Sequence, residues 1–349
     1  MTSAEMNPEQ AYEEALRRIE ANRASQASVL DLGDLPLEDI PGEVSRLGDT
    51  LEVLALGWDK PVREDAEWKW EHVPGREPKL LYPATLSKLA ELTRLRAINL
   101  GGCAIAGDLR WLLPFNRLES LSVRPSGPQD LSPLGQLVNL RDLEIGRITA
   151  GDLRPLSKLI ELRSLAISGD GLRDLGPLST LTQLQALSVD GGDVSDYRPL
   201  AQLRQLRSLG LRSDRQKDLG PLANLTELRS LDVTDGQVSD LRPLSRLANL
   251  RDLSFCWCAA LKDLRPLAGL LQLQRLTLRN CGKIVDLRPL SGLAHLRRLD
   301  LTECESVSNV APLSDLSELE LLILGDTSVT DTSALSRLPK LRITFGAPS

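Results

Sequence analysis

The sequence predicts an α/β solenoid, and two observations carry that prediction. Aspartates recur at a fixed step: Asp130, Asp152, Asp174, Asp196, Asp218 and Asp240 lie 22 residues apart, and Asp240, Asp263 and Asp286 lie 23 apart. Between them leucines recur at a spacing that closes from three to two, as in DLGPLANLTELRSLDV from Asp218. A period in the twenties marks units that stack only on their neighbours, so that one core grows lengthwise. This overrides the two-domain expectation that a length of 349 residues would otherwise carry.

Residues 1–27 read as an N-terminal helical cap. Asn7 suits the N-cap and Pro8 the first helical position. Tyr12, Ala15, Leu16 and Ile19 then fall at i, i+3, i+4 and i+7, which gives one apolar face. The solenoid spans 28–346, starting with a short strand at Leu30 and Leu32 and a second at Leu54 and Leu56. Residues 57–79 break the pattern, with no leucine and with Trp58, Trp68, Trp70 and His72, so this insertion is expected to leave the solenoid as a loop or hairpin. Strand pairs return at Ile98/Leu100 and continue at repeat spacing to Leu322/Leu324, with Ile343 and Phe345 as a final strand before the tail 347–349. No amphipathic cap closes that end, which makes stacking on another copy an expectation.

Within one unit, Asp218 is expected to cap a single 3₁₀ turn, its side chain accepting backbone N–H groups. Pro221 suits the start of such a turn and blocks a longer helix. Leu222, Leu225, Leu228, Leu231 and Val233 point inward, and neighbouring strands pair in parallel. One unit cannot bury its apolar face alone, whereas stacked units can.

Composition narrows the function classes. The 48 acids against 42 bases give a net charge of -6, which argues against nucleic acid as the partner. No stretch approaches the roughly 20 apolar residues of a membrane span. The polar N-terminus lacks a secretory signal, and five cysteines without framework spacing read as free thiols in a reducing compartment. A cytoplasmic location follows as the expectation. No nucleophile motif, phosphate loop, metalloprotease helix or cofactor fingerprint appears, so neither an enzyme nor a cofactor is expected.

The pattern LxxLxxLxLxx…DLxPL resembles the leucine-rich repeat family, in its short-repeat, internalin-like class. The segment LEDIPGEVSRLGDTLEVLAL resembles the repeat arms of bacterial cytoplasmic signalling proteins. The resemblance covers about residues 28 to 346. It implies a curved array with a parallel β-sheet on the concave face and short 3₁₀ turns on the convex face. The concave face of such an array binds another macromolecule, usually a protein. The leading reading is therefore a non-catalytic interaction module or adaptor. The front segment also suggests a sensor subunit acting in trans with a protease, NTPase or TIR effector in stress or antiviral defence.

Alternation along the strands identifies the candidate concave residues. The middle of the face is small and polar, with Asp190, Arg212 and Asp232 as its charges. Toward the C-terminus it gains Asp252, Trp257, Arg275, Arg279, Arg298 and Asp300, which include the side-chain types that dominate interface energy. Two readings stay open for Trp257, a binding anchor or a side chain packed on its own rim. The insertion tryptophans likewise read either as a seal against the solenoid or as a recognition platform.

Two further columns recur with the repeat. Cys103, Cys258, Cys281 and Cys304 share one position, where a small apolar thiol suits a buried site; Cys256 falls on the outward face. A metal site built from Cys256, Cys258, Cys281 and Cys304 would lack the paired knuckles of structural zinc. Arg96, Arg141, Arg163, Arg207, Arg229, Arg251 and Arg297 share another position. They read as a solvated row paired with acids, against the alternative of a basic rail for an acidic partner.

Overall fold

Short parallel strands, most of them followed by a turn and a single 3₁₀ helix, build the chain in a computed structural model. The structure describes residues 6–57, 59–64, 67–72, 80–126, 130–149, 151–191 and 193–346. They fall into two compact units, Met1–Leu172 and Arg173–Ser349.

The first unit opens with helix α1 (Pro8–Ser25). Asn7 Oδ1 accepts the Gln10 N–H at 2.9 Å and Gln10 Oε1 accepts the Asn7 N–H at 3.1 Å, a reciprocal capping box. Gln26, in the left-handed region at φ 52°, ends the helix. The buried face is Ala11, Ala15, Ile19 and Asn22, which corrects the face expected from the sequence. Tyr12 stays 37% exposed, and Leu16 is only half-buried. The alanines let the helix approach closely, while Asn22 is buried because its amide donates to the Val29 carbonyl at 2.6 Å. Arg18 fastens the helix to the first turn, donating to both Asp34 carboxylate oxygens at 2.6 and 2.9 Å and to Glu14 at 2.9 Å. Hydrogen bonds from Arg17 and Arg18 hold the Glu14 carboxyl down to about 2.

Strands β1 (Val29–Asp31) and β2 (Val53–Ala55) pair in parallel. The chain then leaves the sheet at Gly57. A Cβ there would lie 2.2 Å from Asn99 Oδ1 and 2.3 Å from the Gly101 carbonyl, so a side chain has no room. Asn99 is fully buried and accepts the Gly101 N–H at 2.9 Å, which fixes that obstacle in place. Strands β3 (Asp59–Glu64) and β4 (Glu67–His72) form an antiparallel hairpin outside the parallel sheet. The chain returns through β5 (Leu80–Leu81) and the short helix α2 (Pro83–Ser87). Strand β6 (Ala97–Ala106) takes β2 beside its first half and β5 beside its second, with a bulge between Asn99 and Ala104. The parallel register continues through β7 (Ser120–Ser126), β8 (Asp142–Ile145) and β9 (Ser164–Ser168).

In the second unit β10 (Ala186–Asp190), β11 (Ser208–Arg212), β12 (Ser230–Thr234), β13 (Asp252–Cys256) and β14 (Arg275–Arg279) pair in parallel without a slip. They are continued by β15 (Arg298–Asp300), β16 (Leu321–Ile323) and β17 (Arg342–Thr344). Leu187, Leu209, Leu231, Leu253, Leu276, Leu299 and Leu322 therefore stand in one buried row. Period-two alternation leaves the intervening side chains on the open face of the sheet.

The turn chemistry differs from the expectation in one respect. Asp218 does not flank the 3₁₀ turn Gly220–Leu222; Leu219 does, and Asp218 sits one residue earlier, accepting the Gly220 N–H at 2.7 Å. Pro221 removes the next donor, so the residue two positions on offers the N–H within reach. The same bond recurs from Arg154, Gly176, Arg198, Arg242, Arg265 and Arg288 to the aspartate two residues before each. Where that donor residue is arginine, its guanidinium folds back onto the same carboxylate, as in Arg198 Nη2 to Asp196 at 2.7 Å.

Cys103, Cys258, Cys281 and Cys304 are buried, and their thiols do more than fill space. Each S–H faces a carbonyl of a preceding strand segment, of Leu56 at 3.4 Å, Val233 at 3.8 Å, Phe255 at 3.6 Å and Leu278 at 2.7 Å respectively. Burial pushes the Cys304 thiol up to about 11, and hydrogen bonding with Cys258 together with burial raises Cys281. Among the described residues no group of three His, Cys, Asp or Glu side chains is placed to hold a metal ion, and no helix is long and apolar enough to cross a membrane.

Candidate protein-binding groove

The open face of β12 to β15 forms a groove of about 460 Å³. Strand register sets its floor in three rows. Ser230, Asp252, Arg275 and Arg298 share the first row, and Asp232, Ser254, Thr277 and Asp300 the second. Thr234, Cys256 and Arg279 share the third. The in-register repeat thus turns residues some 23 positions apart into lateral neighbours roughly 4.8 Å apart.

Two ion pairs cross between strands. Arg275 Nε donates to Asp252 Oδ1, and Arg279 Nε donates to Asp300 Oδ2 at 2.8 Å. The Asp300 side chain is only 1% exposed, yet it is well satisfied. Its Oδ1 accepts the Thr302 N–H at 3.1 Å and the Thr302 hydroxyl at 2.6 Å. Asp232 accepts only the Thr234 hydroxyl, at 2.9 Å, and pairs with no cation among the described residues. The Arg298 side chain, half-buried on β15, makes no hydrogen bond or ion pair among them, although its backbone N–H donates to the Gln274 carbonyl at 3.0 Å. The groove therefore keeps one unanswered carboxylate on β12 and one unanswered guanidinium on β15.

Six of the candidate residues, Asp232, Asp252, Arg275, Arg279, Arg298 and Asp300, come together here. Ser230, Ser254, Thr277 and Cys256 line it as well. Ser254 and Thr277 were legible as the outward positions between Leu253 and Phe255 and between Leu276 and Leu278. Asp190 and Arg212 share a row on β10 and β11 and do not line the groove. Arg212 is engaged elsewhere, with Asp235 at 3.0 Å.

Trp257 follows Cys256 in the turn after β13. It is 57% exposed. Its φ of 60° places it in a column of left-handed residues, Asp235, Trp257, Asn280, Glu303 and Asp326. Aspartate and asparagine tolerate that conformation, but for a bulky side chain it costs about 1–2 kcal/mol. The Trp257 N–H donates to the Arg279 carbonyl at 2.9 Å, which holds the strained turn to the neighbouring strand.

The other candidates lie in the first unit. Trp68, Trp70 and His72 belong to β4, opposite Arg63, Pro61 and Asp59 of β3. Trp58 lies outside the described residues. In the arginine column, Arg96 binds Glu119 through Nε at 3.0 Å and Nη2 at 2.8 Å, and Arg297 approaches Glu318 at 3.5 Å.

Comparison with known proteins agrees with this architecture. An internalin (inlF) from Listeria monocytogenes is 28% identical with a TM-score of 0.62, over 75% of this chain and 83% of that one. A leucine-rich-repeat protein of Leptospira interrogans is 18% identical with a TM-score of 0.54, over 93% and 98% of the two chains. The matching chain of a TLR13–ssRNA13 complex is 18% identical with a TM-score of 0.59, over 90% of this chain and 55% of that one. At 18% identity these last two share the fold. No curated protein matches the sequence. The family model of the leucine-rich repeat region matches residues 117–344, well over half of the chain, and the protein belongs to the leucine-rich repeat family.

Proposed function

We propose that this chain is a non-catalytic adaptor that holds a protein partner in the groove over β12 to β15, with Trp257 as its apolar anchor. The observation that carries the reading is the groove itself, where an open floor of Ser254 and Thr277 is ringed by arginines and aspartates. Arginine and tryptophan are the side chains enriched at binding hot spots, and a small floor lets a partner's backbone approach. The strain at Trp257 points the same way, because a fold keeps a tryptophan in a costly conformation where its exposure is used. Chemistry is less well supported: burial pushes the Cys256 thiol up, away from the reactive thiolate. On this reading the hairpin bearing Trp68, Trp70 and His72 adds a second contact. Four buried, unoxidised cysteines favour a reducing, cytoplasmic setting.

The test is covalent capture. A photo-cross-linker placed at Thr277 should trap a protein from a lysate of the source cells, and Trp257→Ala or Ser254→Trp should abolish the product while leaving the circular dichroism unchanged. The same yield from all three proteins would refute the groove as the partner site.

A further inference from the structure

We infer that the groove takes a protein segment that carries both a basic and an acidic side chain, the base for Asp232 and the acid for Arg298. The inference rests on the groove being the partner site and adds the chemistry of what it takes. Its basis is the pattern of answered and unanswered charge. Asp252 with Arg275, and Asp300 with Arg279, neutralise one another across neighbouring strands. Asp232 on β12 and Arg298 on β15 flank these pairs and have no ionic partner among the described residues. A partner that supplied only acid would leave Asp232 facing it unpaired, and one that supplied only base would do the same to Arg298. An unpaired charge covered by a partner is costly, so complementarity requires both signs.

The spacing follows from the sheet. From β12 to β15 is three strand intervals, about 14 Å, and Asp232 lies one row, two residues, further along its strand than Arg298, so the two stand about 16 Å apart. An extended chain rises roughly 3.3–3.4 Å per residue and shows alternate side chains on one face, so positions i and i+4 span about 13–14 Å and face the same way. A helix rises about 1.5 Å per residue, and its same-face positions fall near 10.5 Å at i+7 or 16.5 Å at i+11. That span lies nearest the i+11 helical spacing, and an extended i+4 pair reaches it through the length of its side chains. The small side chains of Ser254 and Thr277 in the floor leave room for the intervening residue that points down.

The probe is a displayed library of random linear peptides, selected on the full chain. Selected peptides should carry both a lysine or arginine and an aspartate or glutamate, and should lose binding to Ser254→Trp, which fills the floor without changing a charge. Arg298→Ala should weaken a selected peptide by about fivefold or more, and not when the peptide's acid has already been changed to its amide. Asp232→Ala should show the same coupling to the peptide's base and none to its acid. Peptides that need the groove but lack the two opposite charges, or that show no such coupling, would overturn the inference and leave the adaptor reading standing. If no selected peptide is sensitive to Ser254→Trp, both fall.

Discussion

The turns of the second unit and the groove over β12 to β15 are built from the same two residue types. In the turns where an arginine stands two residues after the aspartate, the charge is answered within its own repeat. Asp240 caps the Arg242 N–H at 2.9 Å and binds the Arg242 guanidinium at 2.7 Å. The identical arrangement recurs at Asp196 with Arg198, Asp263 with Arg265 and Asp286 with Arg288. In the groove aspartate and arginine pair across strands, and two of them, Asp232 and Arg298, have no ionic partner among the described residues. Charge closed within a repeat serves the scaffold whatever its neighbours are. Charge left open between repeats depends on which residues the neighbouring units present, and there the repeat gains an individual surface.

The core beneath both regions sets the scale. Leu231→Ala, inside the buried row under the groove, should cost about 2–5 kcal/mol in urea unfolding. Arg279→Ala should cost less, about 1–3 kcal/mol, because it leaves the buried Asp300 carboxylate with only the bonds from Thr302. A loss as small as that of an exposed pair would show that this groove pair is no different from the turn pairs. Trp257→Gly should do the opposite and raise stability by about 1 kcal/mol through release of the left-handed strain, while weakening partner binding. Thermal unfolding and a binding titration on the same variant would separate those two effects.

Acid should expose the turn aspartates. Hydrogen bonds from the arginine side chain, then from its backbone N–H, hold Asp152, Asp196 and Asp263 at about 2. A carboxylate held low in the folded state contributes stability that is fully present above its ordinary value of 3.8 and fades as pH falls toward 2. Unfolding midpoints should therefore decline between about pH 4 and pH 2, and the decline should shrink when Asp152, Asp196 and Asp263 are all replaced by asparagine, which keeps the backbone bond. These groups are at least a third exposed to solvent, so the decline is modest. The smallest effect is expected from Arg242→Ala, which should leave both the midpoint and partner binding unchanged within error.

Much of this was legible in the sequence, for reasons that also explain what was not. The period fixes strand register, and register with alternation brings Asp232, Asp252, Arg275, Arg279, Arg298 and Asp300 onto one face. Which of those charges pair is a matter of side-chain reach between strands, and no linear spacing encodes it. The strain at Trp257 left a trace that reasoning from alternation overlooked: Asp235, Asn280 and Asp326 hold the same repeat position, and these residue types tolerate a left-handed backbone. The buried face of α1 was misjudged because hydrophobicity favoured Tyr12 and Leu16 over Ala11 and Asn22. Close approach and the hydrogen bond from the Asn22 amide to the Val29 carbonyl decided it instead. The cysteine column read as apolar filling, and the structure adds a hydrogen bond from each thiol to a backbone carbonyl.

The central claim is that the strand face, not the turns, meets the partner, and one matched measurement tests it. Arg298→Glu and Arg288→Glu make the same change of charge, one in the groove and one on the Asp286 turn. Calorimetric titration of each with the captured partner should show binding lost for Arg298→Glu and retained for Arg288→Glu. Equal affinity for the two variants, or loss confined to Arg288→Glu, would contradict the account.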